Sequence, residues 1–159
     1  MGIYLLLASL NIDLATVNIA TVKNQPITRP IFIAQTQNLE GKTWKLVRWG
    51  NRDNLKSPLA GGDITAQFSQ GRISGSGGCN RYNGSYTAKG NQLKFGAIAS
   101  TKMACFRELM LQESKFFRAL DGAKSYKINA QGELEIEYET TDQGSGIMVF
   151  NSQSIRGLW

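Results

Sequence analysis

Cys79 and Cys105 are the only thiols in this 159-residue chain, and it contains no histidine. The commonest general base near neutral pH and the commonest metal ligand are therefore both missing. Two thiols also fall short of a structural zinc set, so no metal or other cofactor is expected. Three readings of the pair compete. The favoured one is a disulfide tying a glycine-rich loop to the start of a helix, worth roughly 3–4 kcal/mol for a loop of this length. It requires an oxidising compartment. Two free, buried thiols come second. Third is a reactive Cys105, its pKa lowered near a helix N-terminus, and weak as a hydrolytic nucleophile without a His partner.

Asp63, Glu108, Glu113 and Asp121 are the carboxylates to test for glycoside hydrolysis, which needs two of them flanking one bond. No spacing brings two together, and Glu113 reads better as a surface or helix-to-sheet hydrogen-bonding residue. No enzyme is expected. For partner contact the first candidates are Arg81, Tyr82, Tyr86 and Trp49, with Trp49 and Tyr86 read first as core. The glycine-rich stretch from Gly75 to Gly84 matches neither the dinucleotide fingerprint nor a Gly-Lys-Ser/Thr ending. Its glycines are read as permitting tight turns and close strand approach, with Asn80 bonding local backbone groups.

Lys and Arg outnumber Asp and Glu by 18 to 12. The basic residues are scattered, so nucleic acid is not the expected partner. A single-stranded nucleic-acid binder using an open-barrel sheet remains an alternative. Glu133, Glu135, Glu137 and Glu139 are spaced by two and must share one face of a strand. Solvation of that face is expected, with a basic neighbouring strand or a weak cation site as alternatives.

Short alternating segments position these residues. Residues 39–49 read as a first strand, with Trp44, Leu46 and Arg48 on one face and Thr43, Lys45, Val47 and Trp49 on the other. Residues 51–62 read as a loop. Residues 63–69 and 72–78 form a hairpin, 81–88 and 91–97 a further pair. Residues 124–129, 134–140 and 147–152 give three closing strands. Between them, residues 105–120 carry Phe106, Leu109, Met110, Phe116, Phe117 and Leu120 at helical spacing, which reads as a core stripe. Ser100 or Thr101 is the predicted cap and Gly122 the stop. The predicted fold is mainly β (α+β): a strongly curved antiparallel sheet or partly open β-barrel of about eight strands with one packed helix. Residues 1–38 read as a separate arm or degenerate signal-like segment. Its apolar run is too short to span a membrane and lacks a basic n-region.

The run Gly77-Gly78-Cys79-Asn80-Arg81-Tyr82-Asn83-Gly84-Ser85-Tyr86 resembles the central motif of the META domain (HslJ-like) family. Leu39-x-Gly41-x-x-Trp44 is similar to that family's opening strand. Ser100-Thr101-Lys102-Met103-Ala104-Cys105 is similar to its Thr-x-Met-x-Cys segment. Glu113-x-x-Phe116-x-x-x-Leu120 resembles its helix, and Gly132-x-Leu134-x-Ile136 a closing strand. The resemblance spans roughly Leu39 to Phe150, and residues 39–159 are read as one such domain. It implies a compact, mainly β domain in an exported or envelope setting, with links to stress and antibiotic tolerance in some members and no established catalytic residue. The expectation is a non-catalytic cell-envelope accessory or interaction domain. It would be exported or periplasmic rather than cytoplasmic, monomeric, without a transmembrane span, and would bind a protein, lipid or glycan. A periplasmic carboxylate-dependent hydrolase and the nucleic-acid module are the alternatives.

Overall fold

The computed structural model describes residues 38–153. The arm or signal-like segment read over residues 1–38 lies outside them, save its last residue. The elements run β1 (Thr43–Asn51), β2 (Asn54–Lys56), β3 (Thr65–Ser69), β4 (Arg72–Ser76), β5 (Arg81–Lys89), β6 (Gln92–Phe95), β7 (Ala99–Ser100), α1 (Arg107–Asp121), β8 (Ala123–Ile128), β9 (Leu134–Thr140) and β10 (Gly144–Gln153). The antiparallel order β1-β3-β4-β5-β6-β8-β9-β10 closes through a β10–β1 ladder, giving an eight-stranded barrel. β2 adds outside on β1 and β7 on β5. Closure pairs what would otherwise be the two open edges of the sheet. β2 lies within the stretch read as a loop.

Alternation places Leu134, Ile136 and Tyr138 of β9 inside, with Trp44, Leu46, Phe68, Ile73 and Phe150 from other strands. Trp44 is fully buried and its indole N–H donates to the Leu39 carbonyl at 2.9 Å, so its one donor is not orphaned.

A break in register in β1 overturns part of the expected face assignment. Leu46 pairs with Phe150, but Arg48 pairs with Val149 and Trp49 with Met148. Val47 is an inserted bulge residue, and a bulge shifts the side-chain parity of everything after it. Arg48 therefore turns outward, away from Trp44 and Leu46, and Trp49 turns in against the core.

The acidic face of β9 also differs from expectation, because it is matched by cations rather than simply solvated. Arg48 pairs with Glu133 at 3.0 Å, Lys127 with Glu135 at 3.1 Å, Arg52 with Glu137, and Lys124 approaches Glu139 at 4.0 Å. The lysines come from adjacent β8. The arginines reach across β10, whose outward Ile147 and Val149 are nevertheless buried, as long apolar stems crossing a strand allow.

Burial alone would raise the Glu135 carboxyl. Hydrogen bonds from Asn129 and Lys127, with the charges of Lys127 and Arg52, outweigh it and hold the pKa below the usual glutamate value. A group depressed in the folded state stabilises the fold above its unfolded pKa and loses that contribution as pH falls through its folded pKa. In a side-chain carbon-13 titration, Glu135 should titrate below glutamate in an unstructured peptide, and Lys127→Ala should move its midpoint up. An unmoved midpoint contradicts this account.

The helix starts later than predicted. Phe106 occupies the N-cap position and no side chain caps the terminus, so neither Ser100 nor Thr101 plays that role; Gly122 does close the other end. Gln112, Glu113, Phe116, Ala119 and Leu120 face inward. Phe106 and Met110 do not join the core stripe: they are 81% and 41% exposed. At about 100° per residue, Met110 lies about 120° around the helix from Phe116, which puts it off the buried face. α1 lies across one end of the barrel and touches three of its turns. Gln112 accepts from Leu59 N–H and donates to Gly62, Glu113 meets Asn80, and Arg118 pairs with Asp142.

Candidate docking site

The motif segments meet beside the N-terminal half of α1. Cys79 and Cys105 form a disulfide closing 26 residues of sequence. Next to it, Asn80 and Glu113 are 6% and 7% exposed. Glu113 accepts from the Asn80 backbone N–H at 2.6 Å and from its amide at 2.8 Å. The Asn80 side-chain oxygen accepts from the Thr101 hydroxyl at 2.8 Å and from Met103 N–H at 2.7 Å. Each polar atom of the Asn80 side chain thus has a partner in the protein, as burial requires. Those partners lie over twenty residues away, not on the local backbone as expected. Gly77 leaves the room: a Cβ there would stand 2.6 Å from a Glu113 oxygen and 2.9 Å from the Phe117 ring.

This bracket fixes the segment from Thr101 to Phe106, and what the segment holds outward is apolar. Met103 is 58% exposed and Phe106 81%, and Met110 follows one turn on, its N–H donating to the Phe106 carbonyl at 3.1 Å. Exposed Lys102 and Arg107 are their sequence neighbours. Arg81 is tied to the same segment through backbone bonds with Thr101. None of these three cations has a carboxylate partner among the described residues, whereas Lys45, Arg48, Arg52, Arg118, Lys124 and Lys127 do. Glu108, in the first turn of α1, lies about 160° around the helix axis from Met110.

The four contact candidates do not converge. Arg81 is exposed and joins the apolar segment. Tyr82 is 2% exposed, with its ring against Phe116 and Phe117 and its hydroxyl donating to the Thr65 carbonyl. Burial drives its pKa far up. A partner cannot reach Tyr82 without opening the core, so it serves packing instead. Tyr86 lies edge-on to Phe68 and donates to Glu40 at 2.7 Å; desolvation and then that carboxylate push its pKa up to about 12. Trp49 sits on the other flank of α1, lining a cleft of about 300 Å³. Sequence reasoning counted Phe106 and Met110 with the core and did not single out Met103, Lys102 or Arg107; the off-phase position of Met110 was the available signal.

The carboxylates named for hydrolysis are dispersed too. Asp63 is paired to Lys45 at 2.7 Å and both Glu113 oxygens are held by Asn80. Glu108 and Asp121 sit at opposite ends of α1, ~20 Å apart along its axis.

The profile of the META domain family matches residues 37–150. An NMR structure of a protein from Burkholderia xenovorans is 32% identical, with a TM-score of 0.59 over 76% of this chain and 88% of that one. A second NMR structure, 20% identical with a TM-score of 0.52 over 71% of this chain and 90% of its own, shares the fold. No curated protein matches the chain.

Proposed function

The chain belongs to the META domain family, and from that premise we propose a non-catalytic accessory domain of the cell envelope that docks on an anionic membrane surface through Met103, Phe106 and Met110. The observation that carries this reading is Phe106, 81% exposed at the tip of a segment braced by a disulfide and a buried polar network. A rigidly presented aromatic side chain rimmed by Arg81, Lys102 and Arg107 suits the boundary between headgroups and acyl chains. The uncapped start of α1 adds unpaired N–H groups on the same side. Three apolar side chains, even with exposed Leu111 next to Met110 on α1, are few for a protein interface, which buries about 800 Å² per partner. A second copy would bring the same cation rim and a net charge of +6 against this one, which favours a monomer. The disulfide is compatible with an oxidising, exported setting. No described helix is long and apolar enough to cross a membrane, so the attachment proposed is peripheral.

Sedimentation of the full chain with vesicles tests the reading. Binding is expected to vesicles containing phosphatidylglycerol and to fall with salt. Phe106→Ser should weaken it about tenfold, and Lys102→Ala/Arg107→Ala about thirtyfold at low salt, each lysine or arginine near the surface being worth about 1 kcal/mol. Equal binding to neutral vesicles, or capture of an acidic envelope protein without vesicle binding, would overturn it.

A further inference from the structure

The opposite flank of α1 carries a second feature, independent of the docking segment. The cleft of about 300 Å³ there is lined by Trp49, Asn51, Lys56, Lys115, Tyr138 and Gln143, among others. That volume lies at the lower bound for small-molecule sites, which favour the mouths of β-barrels. The polar groups around it are only partly used within the described residues. Lys56 and Lys115 have no carboxylate partner among the described residues, where six other cations do. Tyr138 is 4% exposed, yet its hydroxyl makes no hydrogen bond within the described residues and is not sealed from solvent. Gly146 makes the space beside it, since a Cβ there would stand 2.5 Å from that hydroxyl. Asn51 uses its oxygen on Asp53 N–H and leaves its amide nitrogen, while Gln143 uses its nitrogen on the Lys115 carbonyl and leaves its oxygen.

We propose that this cleft binds an acidic saccharide unit, its ring face on Trp49 and its anionic group between Lys56 and Lys115. Two ammonium groups flanking an aromatic ring select an anion carried on a flat apolar face. The tyrosine hydroxyl and the amides then decide between a sugar and a simple aromatic acid. A polyhydroxylated ring offers both donors and acceptors to the amides and the hydroxyl at once, which the ring of an aromatic acid does not. The bulge at Val47 is what delivers Trp49 to this cleft.

The test is titration of the full chain with glucuronate, glucose, benzoate and inorganic phosphate, followed by amide shifts of residues 49–56 and by tryptophan fluorescence. Glucuronate should give saturable shifts, with glucose, benzoate and phosphate each about tenfold weaker or more. Lys56→Ala/Lys115→Ala should raise the glucuronate Kd about tenfold; both side chains are on the surface, so this variant reads binding even if Trp49→Leu fails to fold. Glucose matching glucuronate overturns the anion assignment, and benzoate or phosphate matching it overturns the saccharide. An unchanged Kd in the lysine variant overturns the site. None of these results bears on vesicle docking.

Discussion

Replacing Cys79 and Cys105 with serine should lower the unfolding free energy by about 3–4 kcal/mol, the chain-entropy value for closing a loop of this size. The closed segment spans 26 residues. For a domain of this size the loss corresponds to a fall in Tm of about 10–20 °C. Reduction of the parent protein should reproduce it, and either single substitution should match the double one, because one sulfur cannot form the bond alone. The folded state should survive, since Asn80 still holds Thr101 and Met103 by hydrogen bonds at 2.8 and 2.7 Å. Urea unfolding with and without reductant measures the difference. A double variant within about 1 kcal/mol of the oxidised parent would mean that the loop is already ordered in the unfolded ensemble and that the bond adds little.

That pairing illustrates what the sequence could and could not disclose. The motif segments marked the disulfide partners because a glycine-rich turn and a pre-helical segment are both local features, readable from residue type. Leu134, Ile136 and Tyr138 were legible for a similar reason: their period of two forces them to one side. The arginine partners of the β9 glutamates were not. Arg48 and Arg52 each lie 85 residues from their carboxylates and meet them only when β10 pairs with β1. The same closure hid the face of Trp49. Unbroken alternation from Trp44 would put it on the outside, and only the ladder with β10 reveals that Val47 is skipped. Phe106 misled for a different reason. Helical spacing was read from residue 105, two residues before the true start of α1, so an exposed N-cap aromatic was counted with the core. Both proposed surfaces, the Phe106 segment and the Trp49 cleft, thus sit where a local rule fails, which is where functional departures from ideal patterning are expected.

Swapping the charge within the Asn80–Glu113 pair should produce the second large effect, and in a form that separates a specific bond from general disruption. Glu113→Gln keeps one acceptor but turns a donor toward a donor, since Glu113 accepts from both the backbone N–H and the amide of Asn80. One buried donor then loses its partner, at a cost of about 2–3 kcal/mol. Asn80→Asp alone sets two carboxylates against each other at 7% exposure or less, a cost of similar size or larger. The double substitution restores complementarity. The new amide at 113 can donate to the new carboxylate at 80, and its oxygen still accepts the backbone N–H. The remaining carboxylate oxygen still accepts from Thr101 and Met103. The pair should therefore be more stable than either single variant, with a coupling energy of about 2 kcal/mol or more in a double-mutant cycle measured by urea unfolding. Vesicle binding should follow the same order, because Met103 and Phe106 are presented by the segment that Asn80 holds. Additive losses would show that Glu113 supports the loop through packing against Gly77 and Phe117 rather than through its bonds to Asn80.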